Sequence, residues 1–245
     1  MANSQEPSPL EILYDDGPVL VINKPSGLLT QAPAGIESAE IEVRKFFKQS
    51  RGKPPEANVY VGITHRIDRP VSGALLFTRH VRAARRLAKQ FQERTVSKTY
   101  WAVVAGHVAD DEGTWFDHLH KRHGMSQTIV VPEDDPRGKH AVLHFRVRER
   151  LTLPAGEATW LEIQLETGRT HQIRVQAASR GHAVLGDEQY GSTAAFGPQY
   201  ESQRDRAIAL HARELGFRHP MRDEQVRIEA PLPGYWQPLA IGDWA

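Results

Sequence analysis

Short segments of alternating polarity, bounded by turn residues and seldom separated by helical patterns, constrain the fold of this chain most. The clearest spans 158–166, where Leu161, Ile163 and Leu165 alternate with polar neighbours, the pattern of a strand with one buried face. Strands are predicted also at 127–131 and 141–150, from Ser97 to Ala105, and from Ala74 to Thr78. Near the start, Glu11 to Tyr14 and Val19 to Asn23 flank an Asp15-Asp16-Gly17-Pro18 turn; Ala207 to Phe217 and Val226 to Glu229 end the series. Helical spacing is confined to Glu37–Gln49, Arg79–Arg94 and Thr170–Arg180. Residues 106–125 read as a polar loop rich in His and Asp, and 186–206 as a long Gly-rich polar loop. With no regular strand–helix–strand alternation, the expected class is α+β with a mostly antiparallel sheet.

A chain of 245 residues with 40% hydrophobic content supports one large domain or two small ones. It has no cysteine, which excludes disulfides and thiolate metal sites. The polar start lacks the apolar stretch of a signal peptide, and residues 1–9 read as a disordered leader before a domain over 10–245. No run approaches the ~20 apolar residues of a membrane span. A soluble cytoplasmic protein is expected. Net charge is only +1, so the distribution matters more than the total. From Arg79 to Arg94 stand six basic residues (Arg79, Arg82, Arg85, Arg86, Lys89 and Arg94) and one acid, Glu93. Ala84, Leu87, Ala88 and Phe91 recur at helical spacing, predicting an amphipathic helix with a basic outer face suited to phosphates or simply to water.

Three segments carry candidate chemistry. In Thr64-His65-Arg66-Ile67-Asp68-Arg69-Pro70-Val71-Ser72-Gly73, one carboxylate stands between two arginines. Nearby positive charge favours the ionised form of Asp68, suited to a nucleophile or base. In Glu166-Thr167-Gly168-Arg169-Thr170-His171-Gln172-Ile173-Arg174, a strand ends and a helix begins. Its cationic and donor groups suit a phosphate or a carboxylate such as Asp68. In Ser97-Lys98-Thr99-Tyr100, a tyrosine at a strand start can stack on a base or move a proton. His118, His120 and His123 have ligand-like spacing but no partner set, and no phosphate-loop, dinucleotide or nucleophile-elbow motif occurs. No metal and no nucleotide cofactor is expected.

In order along the chain, "ILYDDGPVLVINKPSGLLTQ", "HRIDRPVSGALLFTR", "SKTYWAVVAG", "LETGRTHQIRVQ", "GHAVLGDEQYG", "LHARELGFRHP" and "APLP" resemble the RluA-type RNA pseudouridine synthases from about Leu10 to Pro233. The resemblance implies a long, bent, mixed but mainly antiparallel sheet with the cleft across its middle. It implies cleavage of the uridine N1–C1′ bond and rejoining through C5, without cofactor or metal. By matching motif, Asp68 is the catalytic aspartate, Tyr100 the active-site tyrosine and Arg174 the arginine that pairs with the aspartate. Arg66 fills the stack vacated by the flipped uridine. Arg69, Arg82, Arg86, Lys89, Arg169 and His171 are further RNA-binding candidates, and structured ribosomal or transfer RNA is the expected partner of a monomer. The chain departs from the pattern at Val71 for threonine, Gln176 for histidine and Ile67 for leucine, which touches the surroundings of the site and not its chemistry. The family often carries an added N-terminal RNA-binding domain, whereas here a bare catalytic domain is expected, with loops 106–125 and 186–206 selecting the substrate.

Two other readings compete. A glycoside hydrolase needs a second carboxylate as proton donor, about 5–10 Å from the first; no acidic partner motif is evident. A non-catalytic RNA-binding relic would lack one of Asp68, Tyr100 and Arg174, and all three are present.

Overall fold

In a computed structural model that describes residues 10–241, eleven strands form one sheet. The leader expected at 1–9 lies outside the described residues. The strands are β1 (Ile12–Asp16), β2 (Val19–Lys24), β3 (Gly62–Ile63), β4 (Ser72–Thr78), β5 (Ser97–Ala105), β6 (Glu112–Lys121), β7 (Thr128–Val131), β8 (Lys139–Leu153), β9 (Gly156–Leu165), β10 (Leu210–Arg218) and β11 (Gln225–Glu229). The helices are α1 (Ala39–Gln49), α2 (Val81–Gln92) and α3 (Gln172–Ala178). The spatial order is β1-β2-β4-β10-β5-β9-β8-β6-β7, with β3 beside β4 and β11 beside β10. All pairings are antiparallel except β4 with β10, so the α+β class holds.

The strand pattern decides which face each helix covers. In β2 and β4, Leu20, Ile22, Leu75 and Phe77 join a core with Ala39, Val43 and Phe47 of α1. The alternate residues Val19, Val21, Ala74 and Leu76 pack with Leu87 of α2 on the other face. Every residue of β4 is buried, as befits a central strand covered on both sides. The buried stripe of α2 is Ala83 and Leu87, with Ala84 and Phe91 partly covered, while Ala88 is exposed. The apolar face therefore runs through position 83 and not 88, because the helix is phased from its cap, where His80 Nδ1 accepts the Ala83 amide.

The parallel seam joins two half-sheets. β10, late in the chain, lies between β4 and β5 and pairs with β4 at His211–Ser72 and Ala212–Gly73. Gly73 has φ +117°, and a Cβ there would collide with the Ala212 backbone. Glycine is required where the two strands meet. Ser72 Oγ and His211 Nδ1 lie 2.8 Å apart across the same seam.

Two expectations need correction. Residues 106–125 are not a loop, since 112–121 form β6, paired with β7 and β8. The helix expected from Thr170 starts at Gln172, after His171 in the left-handed region at φ 54°. Among the described residues, no helix is long and apolar enough to cross a membrane.

Candidate active site

Asp68 lies in the loop from β3 to β4, and backbone ties fix that loop. Thr30 Oγ1 donates to the Ile67 carbonyl at 2.9 Å and accepts the Ile67 amide at 3.3 Å. The Arg69 carbonyl receives the Gly27 amide at 2.8 Å and the fully buried Lys24 ammonium at 3.3 Å. Lys24 Nζ also donates to Pro25 and Leu28 carbonyls, so its three donors knit loop 25–28 to loop 68–70. The Asp68 carboxylate, 17% exposed, opens into a cleft of about 480 Å³. Tyr100 from β5 and Arg174 and His171 from the start of α3 line the same cleft.

The charge partner of Asp68 comes from across the cleft. Arg174 Nη1 lies 3.4 Å from Asp68 Oδ2, spanning 106 residues of sequence. Most of the fork, however, is spent elsewhere. Nε and Nη2 donate to the two oxygens of Asp187 at 2.6 and 2.7 Å, and Nη2 also donates to Gln189 Oε1 at 2.8 Å. Both side chains of the Arg174–Asp187 pair are almost fully buried. Burial opposes the guanidinium's charge, but the Asp187 hydrogen bonds and charge outweigh it and hold its pKa above the ordinary value. His171 stands near the same oxygen, with Nε2 3.8 Å from Asp68 Oδ2, beyond hydrogen-bond distance. Burial draws its pKa below the usual imidazole value, although Asp68 pulls the other way.

Neither neighbouring arginine plays the part that proximity in sequence suggests. Among the described residues, neither Arg66 nor Arg69 forms an ion pair with Asp68. Arg66 is exposed on the cleft wall. Arg69 turns away, donating to the Gly27 carbonyl at 2.7 Å and to Asp205 at 2.6 Å, which makes it a strut of the loop and not a cleft cation. Arg82, Arg86 and Lys89 of α2 are exposed but do not line the cleft, which meets the end of that helix through Phe91, Gln92 and Arg94. Arg169 does line it, its Nε bonded to the His140 carbonyl.

Tyr100 is 9% exposed. Burial, with the Asp68 charge added, raises its pKa, so it presents a neutral phenol to the cleft. Lys98 is a further cation in the wall, its pKa lowered by burial and by Arg94. Gln176, where histidine was expected, is buried and donates to Asp117 of β6 at 2.7 Å, tying α3 to the sheet. Motif spacing did not single out Asp187, Gln189 or Tyr190, which sit in the quoted segment "GDEQYG" but far from Arg174 in pattern. A buried acid 13 residues after a buried arginine has no periodic signature.

The cleft thus holds Asp68 with a remote arginine, a neutral tyrosine in the same cleft, and a mainly cationic wall in which the other carboxylate, Glu166, is paired with Arg94 at 2.7 Å. Residues 18–179 match the family model described as RNA pseudouridylate synthase. The chain belongs to the RNA pseudouridylate synthase family. It is 37% identical over 230 residues to an uncharacterised RNA pseudouridine synthase of Bacillus subtilis, covering 93% of this chain and 71% of that one. It is 35% identical over 232 residues to the ribosomal large subunit pseudouridine synthase D of Vibrio cholerae, covering 92% and 68%. The solved structure of human RNA pseudouridylate synthase domain containing 1 superposes with a TM-score of 0.71 at 25% identity, covering 96% of this chain and 90% of that one. The pseudouridine synthase fold and isomerase class expected from the ordered motifs therefore hold, and RNA is the substrate class.

Proposed function

We propose that the chain isomerises uridine within ribosomal RNA to pseudouridine, with Asp68, Tyr100 and Arg174 as the groups that touch the reacting nucleotide. The N1–C1′ bond breaks, the uracil turns, a C5–C1′ bond forms, and the C5 proton leaves to solvent while N1 gains one. The observation that carries this reading is the Asp68–Arg174 contact in a cleft that also holds Tyr100. A carboxylate taken out of water tends to neutralise unless a cation stays beside it. Arg174 supplies that cation, and the Asp68 carboxylate acts at the sugar. Tyr100, neutral and buried, offers the uracil an apolar ring and an O–H donor. Arg66, exposed on the wall, takes the place the flipped base vacates, and Arg169 faces the neighbouring backbone, whereas His171, expected to bind RNA, is turned to Asp68 and Tyr190. Extruding the base costs a few kcal/mol, which contacts from the cationic wall offset. Ribosomal RNA is favoured by the naming of relatives such as the Vibrio cholerae protein. The work falls to a catalytic domain over 10–245, acting as a monomer in the cytoplasm.

Asp68→Asn keeps the size of the side chain and removes its charge. It should abolish tritium release from RNA labelled at uridine C5 while RNA binding by filter retention persists. Substantial turnover by the asparagine variant would remove Asp68 from the chemistry.

A further inference from the structure

Two groups face Asp68 Oδ2, Arg174 and His171, and a separate bridging side chain links each of them to the hairpin of β6 and β7. On the first path, Gln189 Oε1 accepts Arg174 Nη2 at 2.8 Å, while its amide nitrogen donates to Ser126 Oγ at 2.9 Å and to the Ser126 carbonyl at 3.2 Å. On the second, the Tyr190 hydroxyl accepts the Thr128 amide at 2.9 Å and lies 2.9 Å from His171 Nδ1. The carboxylate facing Nε2 favours the tautomer protonated there, so the Tyr190 hydroxyl donates to Nδ1. The Tyr190 ring also lies under the Arg174 guanidinium, 4.9 Å away. Hairpin, Gln189 and Tyr190 thus form one frame around the carboxylate.

The far end of the hairpin is built for a polyanion. Lys121, Arg122 and His123 are exposed, and no acidic residue occurs between Asp117 and Glu133. Among the described residues none of the three basic side chains forms an ion pair, unlike Lys45, Arg137 or Arg180 elsewhere. Gly124, at φ +74° and open to solvent, turns the chain so that these side chains project.

We propose that the β6–β7 hairpin is an RNA-contacting arm and that Gln189 and Tyr190 are positioning residues fastening it to the groups that hold Asp68. The proposal rests on the pseudouridine synthase reading. The arm contacts RNA phosphates beyond the cleft, and the two side chains keep Arg174 and His171 aimed at the carboxylate once the RNA is seated.

The test measures kcat and KM by tritium release and the salt dependence of RNA binding, on the full chain and three variants. Gln189→Met and Tyr190→Phe should each lower kcat tenfold or more with KM changed less than about twofold. Lys121→Gln combined with Arg122→Gln should raise KM and reduce the log–log salt slope by about 1.5, each phosphate contact contributing ~0.7–0.9. A kcat within twofold of wild type in both single variants overturns the positioning role, and an unchanged salt slope overturns the arm. Should either single variant melt far below wild type, its kcat is read at a temperature where it stays folded, and the hairpin double variant, whose side chains are exposed, decides the arm. Wild type inactive on RNA would instead defeat the functional reading itself, so the two failures are distinguishable.

Discussion

Arg174 contacts both a buried partner, Asp187, and the cleft carboxylate Asp68, and the two contacts can be separated by experiment. Its fork has more acceptors than a lysine could satisfy in fixed geometry: both oxygens of Asp187, Gln189 and Asp68. Arg174→Met leaves Asp187 as a buried, unpaired charge, which should cost about 3–5 kcal/mol of stability. Adding Asp187→Asn removes that stranded charge. Urea denaturation should show stability largely recovered in the double variant, while tritium release stays lost because Asp68 still lacks its cation. Recovery of turnover along with stability would show that Arg174 only holds the fold. The sequence made the Asp68–Arg174 pair legible through motif order, but it suggested Arg66 and Arg69 as the local charge environment. Chain neighbours point their side chains apart on a tight loop, so Arg69 reaches Asp205 instead, and the stabilising charge arrives from a distant helix.

At the level of elements, α2 carries the basic face the sequence implied, yet its cations are not equivalent. Arg86 donates to the Pro220 carbonyl at 2.6 Å, and Lys89 lies 3.6 Å from Glu93 one turn on. Arg82 and Arg85 have no ion-pair partner among the described residues and are exposed. Replacing Arg82 and Arg85 with Gln should therefore lower the salt slope of RNA binding by about 1.5. Replacing Arg86 should act mainly on stability, by about 1–2 kcal/mol for a hydrogen bond from a charged group. A salt slope unaffected by the Arg82 and Arg85 changes would mark this face as merely solvated. The strand β6 was illegible for a related reason. Its inward positions are Trp115, Asp117 and Leu119, with the acid drawn in by Gln176 and Arg180, while Phe116 stands 61% exposed. The apolar–polar alternation that marks a strand is thus broken at its centre, and the local His and Asp content reads as loop. By contrast, β5 was located to the residue because its inward face is continuous through Tyr100 and Ala102.

For the molecule as a whole, three histidines whose surroundings lower their pKa set the response to acid. Burial lowers the pKa of His65 to about 3 and of His211 to about 4, and draws His171 down as well. Each binds its proton more readily unfolded, near pH 6.5, than folded. Stability is therefore full above about pH 6.5 and is lost as pH falls towards the folded values. For His211 the loss by pH 4 is roughly 3 kcal/mol at 1.36 kcal/mol per unit. The melting temperature should fall steeply between pH 6.5 and 4, and His211→Asn should flatten that fall even if it lowers the plateau. An equally steep fall in the variant would place the acid sensitivity elsewhere. The strand that carries His211 has a temporal consequence too. Asp68 precedes a strand of the half-sheet made first, Tyr100 lies in the half made next, and β10 is the strand that pairs with both. A ribosome making this chain has exposed Asp68 about 140 residues before the strand that locks it in register appears. Until then β4 and β5 present open edges to each other and to any other chain. The strand that leads away from Asp68 and the strand that carries Tyr100 are thus joined into one sheet only in one late step.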